Sequence, residues 1–353
     1  MLEDLLITLG EPRMLALAGA ATGVIFGWAA QRSRFCLRAA TVEVAGGRFG
    51  PRMAIWLIVF FTALTLTQAG VGSGVFDVSS TRQLAGTGSL SGAMIGGLLF
   101  GAGMIFARGC ASRLLVLSAT GNLRALVTGL VVTLVAQASY RGVLAPAREN
   151  IAGLWTIDGG TARHLLAPFG IGPTLTALIT GLALLGAFVL ARRRALSAGM
   201  ILAGVFVGGA VAMGWGLTAS IAATSFEIVP VSSVTFTGPS TDTLMALVAE
   251  RNLPLSFGLG LVPGVFAGSF AASVLNREFS IERFGPDAPM ERYLFGAVMM
   301  GFGAMLAGGC AVGAGVSGGA VLSITALIAV FFMWVGAVLT IWLTRRTTDA
   351  SLA

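Results

Sequence analysis

The sequence predicts an all-α polytopic membrane protein of about nine transmembrane helices in inverted repeats, with short broken or re-entrant helices meeting at the centre. Three observations carry this. Hydrophobic residues make up 56% of the chain and charged residues only 10%, with a mean hydropathy of +0.90; soluble domains carry roughly a quarter charged residues. Apolar runs of about 20 residues, each enough to span a bilayer, recur along all 353 residues. Two octapeptides 200 residues apart, Gly103–Cys110 (GMIFARGC) and Gly303–Cys310 (GAMLAGGC), share the pattern Gly-x3-Ala-x-Gly-Cys.

The expected spans run in order at 14–31, 53–70, 90–108, 123–140, 173–191, 198–216, 255–275, 293–309 and 321–343. The opening MLEDLLITLGEPR has neither a basic n-region nor a small-residue cleavage site, so a removed signal peptide is not expected. Short helices are expected at 112–119 and 312–317, each following a Gly-Cys pair, and 241–250 reads as a short helix at or outside the rim. The 50 glycines suit closely packed and broken helices.

Basic residues orient the bundle. Arg32, Arg34, Arg38, Arg48 and Arg52 follow the first span, Arg192, Arg193 and Arg194 the fifth, and Arg345 and Arg346 the last. Placing all three groups in the cytoplasm requires an odd number of spans, a periplasmic N-terminus and a cytoplasmic C-terminus. The connections 71–89, 141–172 and 217–254 then lie outside. The net charge of +7 reads as this asymmetry and not as nucleic-acid affinity.

The same orientation exposes the repeat. Gly23-Val-Ile-Phe-Gly27 in the first span matches Gly204-Val-Phe-Val-Gly208 in the sixth, and the two cysteine motifs match the third span to the eighth. The matched spans run in opposite directions, which is the mark of an inverted repeat. One domain, 1–353, therefore divides into a first repeat 14–140, a linking helix 173–191 and a second repeat 198–343. By this reckoning the mate of Cys36 is Leu217, giving four equivalent loops.

Candidate site residues follow from these breaks. Gly109 and Gly309 precede Cys110 and Cys310, and Cys36 closes the first span in RSRFCLRAA. A helix interrupted at membrane depth survives only inside protein or along a cavity, and its free N–H groups suit an anion. Arg34, Arg38, Arg108 and Arg113 flank Cys36 and Cys110 with Glu43 the nearby acid. Each has a plainer reading as well. A cysteine also serves as a small apolar filler, and an interfacial arginine serves as a topology signal.

Other chemistry is excluded. Three cysteines without CxxC spacing give no disulfide framework and no zinc site, and a single His164 gives no histidine-based metal or haem site. No strand–GxxxxGK[ST]–helix signature occurs, so ATP-driven pumping is not expected. No span carries the acid that sodium or proton coupling would need. No metal and no cofactor are expected, and the chain does not read as an enzyme. The six tryptophans mostly sit near span ends, as interface anchors do, Met299, Met300 and Met305 read as packing, and His164, in an expected outer loop, carries no partner signal.

FCLRAA (35–40), ARGCASR (107–113) and AGGCAVGAGVSGG (307–319) together resemble the YeeE/YedE family of bacterial sulfur-compound transporters, whose characterised members take up thiosulfate. The resemblance extends from about 14 to 344. It implies an hourglass-like bundle in the bacterial inner membrane. Cys36, Cys110 and Cys310 would line its path and hydrogen-bond a passing thiosulfate through their thiols, with Cys110 indispensable. It also implies a soluble cytoplasmic sulfur-carrier partner. A permease for sulfite or selenite would have the same sequence features. A membrane thiol oxidoreductase would use the cysteines covalently, but no CxxC pair, quinone ligand or haem ligand supports it.

Overall fold

The computed structural model describes residues 8–350 apart from 226, 252 and 285–288, with side chains up to 344. The first seven residues and the side chains of Arg345 and Arg346 lie outside the described residues. Among the described residues, nine segments are long and apolar enough to cross a membrane, from Glu11–Ala45 to Ile324–Thr344. All nine expected spans are present.

In the first half, α1 (Glu11–Ser33) stops, α2 (Leu37–Ala45) follows, and α3 (Pro51–Gly72) returns. A two-residue strand β1 (Gly88–Ser89) leads into α4 (Leu90–Phe106), the short α5 (Ala111–Ala119) and α6 (Leu123–Arg141). The outer connection holds α7 (Ala145–Gly153) and β2 (Thr156–Ile157), which pairs antiparallel with β1. The second half has α8 (Pro173–Arg193), α9 (Ala198–Thr224), α10 (Thr237–Ala249), α11 (Phe257–Leu275), α12 (Met290–Leu306), α13 (Ala311–Gly318, wound as a wider π-type helix) and α14 (Ile324–Ala350).

Small residues decide the packing. On α1, a Cβ added at Gly19, Gly23 or Gly27 would fall 2.0–2.4 Å from the carbonyl oxygens of Phe257, Leu261 and Val265. The rising register shows that α1 and α11 run parallel, backbone on backbone. The α4–α12 crossing is antiparallel and reciprocal. Gly96 abuts Gly303 and Ala307, while Gly296 abuts Gly103 and Ala107. Reciprocity of this kind is what a twofold relation between two helices produces. On its other face α4 meets α14, where Gly101 lies against the Met333 carbonyl. The apolar side chains left facing outward, such as Leu178 and Leu182 on the peripheral α8, suit lipid.

Two sequence expectations need correction. Leu217 does not end a helix, because α9 stays helical from Ala198 through Thr224 and the Thr218 hydroxyl bonds back to the Gly214 carbonyl at 2.9 Å. The break comes later. The chain returns through an extended stretch whose members Val231, Ser233, Val234 and Phe236 are buried, and α10 then starts with Phe236 at its N-cap. Phe236 thus occupies the position that Cys36, Cys110 and Cys310 occupy before the other three short helices. Trp215 is not an interface anchor either. It is fully buried and donates its indole N–H to the Ser317 carbonyl at 3.3 Å.

Candidate functional site

Each cysteine is set by the same piece of backbone. α1, α4 and α12 end, the chain enters the left-handed region at Arg34 (φ 52), Arg108 (φ 55) and Gly308 (φ 77), and two residues later an extended cysteine caps the next short helix. Only glycine adopts this conformation without strain. Holding arginine there twice costs of order 1 kcal/mol each, and such outliers cluster at functional sites. The interruption frees the first-turn amides of the short helix. One of them, Gly313 N–H, already donates to the Cys310 sulfur at 3.4 Å.

Cys36 and Cys110 come together although they stand on different broken helices, and their side chains are close enough to interact. Cys110 is buried, with Sγ 3.4 Å from the Ser112 hydroxyl, whereas Cys36 is half-buried. Arg38 and Arg113 lie within electrostatic reach of Cys36. Arg38 shares its surroundings with Arg108, Arg292 and Tyr293, and its buried Nε has no hydrogen-bond partner. Arg108 is exposed at the same end. Glu43 does not neutralise this group, because its carboxylate accepts the backbone N–H groups of Arg52 and Met53 at the start of α3.

A polar relay fixes the arginines. Arg113 donates to the Gln31 Oε1 at 3.3 Å, Gln31 donates from Nε2 to Glu278 at 2.9 Å, and Arg34 meets the other Glu278 oxygen at 3.5 Å. Gln31 and Glu278 are absent from the sequence-based candidates, as is Arg292. A lone glutamine in an apolar span is a visible polar signal, but its partner 247 residues away is not.

Cys310 is placed separately. It is buried on the loop before α13, and α13 touches α5. α13 is held at Ser317, whose hydroxyl donates to the Val234 carbonyl at 2.5 Å, while Gln68 donates to the Ala320 carbonyl at 2.8 Å. Gly309 lies against Ala314, and Gly109 lies against Leu114. Among the described residues no group of histidine, cysteine and carboxylate side chains is arranged to hold a metal.

The result is two buried thiols and one half-buried thiol in loops whose cations outnumber their acids, suited to a small soft anion. A family model described as sulphur transport matches residues 32–339, a stretch that contains all three cysteines. The chain belongs to this sulphur transport family. The thiosulfate transporter TsuA of Escherichia coli (strain K12) is 26% identical over 356 residues, covering 93% of this chain and 94% of its own. Membership in the sulphur transport family accounts for the resemblance carried by the three cysteine loops and makes the chain a multi-pass transporter of sulfur compounds.

Proposed function

We propose that the protein takes up thiosulfate across the bacterial inner membrane, past thiols that donate S–H hydrogen bonds, without ATP hydrolysis. The observation that carries this reading is the shared loop geometry, which sets Cys36, Cys110 and Cys310 at the N-caps of three short helices, two of them side by side among arginines. The similarity to a thiosulfate transporter supports the choice of anion. A thiol is a weak donor with a polarizable sulfur, matched to the terminal sulfur of thiosulfate. Several weak sites in series pass an ion along without trapping it.

In this reading the repeats are 14–140 and 198–343, the N-terminus is periplasmic and the C-terminus cytoplasmic. The anion meets Cys310 first, then Cys110 and Cys36, and leaves among Arg34, Arg38 and Arg108. Consumption inside the cell draws it inward, and a soluble sulfur carrier would receive it at that cationic end.

Uptake by Cys110→Ala tests the reading. Removing one sulfur costs stability of about 1 kcal/mol, so the protein should stay abundant. Thiosulfate-dependent growth should be lost in a strain lacking other sulfate and thiosulfate importers. Cys110→Ser retains part of the activity if a hydrogen-bond donor suffices and none if polarizable sulfur is required. Sulfite and selenite competition identifies the preferred anion. Normal growth of the Cys36, Cys110 and Cys310 triple alanine variant would reduce the thiols to packing residues.

A further inference from the structure

Arg34 and Arg108 stand two residues before Cys36 and Cys110, but the equivalent position before Cys310 is Gly308. A guanidinium reaches that place from elsewhere. Arg82, on the connection between α3 and α4, donates from Nη2 to the Gly308 carbonyl at 3.2 Å. Among the described residues its other guanidinium N–H groups have no protein partner, and neither Arg82 nor Arg163 is paired with a carboxylate.

The position of Arg82 is built. Arg163, 93% buried by its 7% exposure, donates from Nη1 to the carbonyls of Arg82 at 3.1 Å and Gly86 at 2.6 Å. From Nη2 it donates to the Thr325 hydroxyl at 2.7 Å. Ser323 donates to the Gln83 carbonyl at 2.9 Å, and Leu165 N–H to the Leu322 carbonyl at 2.9 Å. The 141–172 connection therefore clamps the Arg82 turn onto the start of α14. Two buried polar atoms here stay unmatched, Arg163 Nε and Thr81 Oγ1. A Cβ at Gly88 would lie 2.7 Å from that Nε, so the β1 glycine makes the space for the guanidinium. Burial and the neighbouring Arg82 charge both push the Arg163 guanidinium below its ordinary value, as expected where two cations share a place without an anion.

We propose that Arg82 is a substrate-binding residue at the mouth before Cys310, receiving the oxygens of a small sulfur oxyanion, and that Arg163 is the residue that positions it. This rests on the transport reading above. The free donors of a guanidinium match an oxyanion in geometry and charge, while the thiol two residues beyond Gly308 suits the sulfur end. The two helix-end arginines of the first half are thereby replaced, in the second, by one arginine brought in from the outer connection.

The test is uptake of radiolabelled thiosulfate by the full-length protein in proteoliposomes, with KM and maximal rate measured separately. Arg82→Gln should raise KM about tenfold, the loss expected for one charge-assisted contact, with the maximal rate and protein level little changed. Arg82→Lys should recover most of that loss, and Arg163→Gln should raise KM in the same direction. The wild-type KM should climb with inert salt, and that dependence should weaken in Arg82→Gln. An unchanged KM in Arg82→Gln, beside an inactive Cys310→Ala control, overturns the assignment and leaves the transport reading standing. Should Arg82→Gln fail to accumulate, a salt-independent wild-type KM overturns it instead. Wild-type proteoliposomes that accumulate no thiosulfate would count against the transport reading itself.

Discussion

A methyl group at Gly313 would lie 2.2 Å from the Thr235 Oγ1 and 2.8 Å from its Cβ. Carbon contacts are comfortable near 3.5–4.0 Å, so Gly313→Ala forces one of two buried segments back by roughly 1 Å. Neither can yield freely. Gly313 N–H donates to the Cys310 sulfur, and the Thr235 segment is fastened through Ser233 to the Val211 carbonyl and through Val234 to Ser317. Overpacking of this kind costs about 1–3 kcal/mol, against which alanine returns about 0.5–1 kcal/mol of helix preference. A net loss of about 1–2 kcal/mol should leave the protein folded with its melting temperature lowered by a few degrees. Uptake should fall much further, because the displaced amide is the one that holds the Cys310 thiol. Thermal unfolding in detergent and thiosulfate uptake, measured on the same preparation, separate the two effects. Adding Thr235→Gly removes the obstructing atoms and should restore the melting temperature. A Gly313→Ala protein that melts and transports like the parent would refute the claim that this contact shapes the Cys310 loop.

Gln31→Leu should lower both stability and uptake, because Arg113 loses a hydrogen-bond partner and Glu278 loses one of two. Arg113 is half-buried and Glu278 exposed, so the loss should be about 1 kcal/mol, and unchanged melting with unchanged uptake would show the relay to be idle. Reporter fusions at residues 1 and 353 should register on opposite sides, the first periplasmic and the second cytoplasmic. Signals on one side would dismantle the orientation drawn from the arginines.

The sequence exposed the cysteine loops because their physics is local. A Gly-Cys pair at the end of an apolar run marks a helix that stops, and Gly308 and Gly309 mark it twice. The fourth loop was misplaced because a constant offset in the repeat takes the two halves to be equal in length. α9 runs to Thr224, and the polar, β-branched stretch VSSVTF before α10 was the better sign of the break. That stretch is uneconomical as a helix and rich in hydroxyls that fasten extended backbone. The Gln31–Glu278 bond and the clamp by Arg163 were invisible for another reason. Each joins residues far apart in sequence, and neither end carries a pattern that names its partner. The nine spans themselves are written in hydropathy, which needs no tertiary information.

The glycine seams bear on how such a protein turns over. Where α1 meets α11 and α4 meets both α12 and α14, carbonyl oxygens occupy the space that side chains would fill. Helices joined in this way cannot slide past one another without first separating, since a displaced carbonyl meets backbone on every side. Large alternating-access swings of one half against the other would have to prise open these joints in every cycle. Backbone-on-backbone seams of this kind favour small adjustments of the loops that carry the thiols and arginines over sliding of the helices.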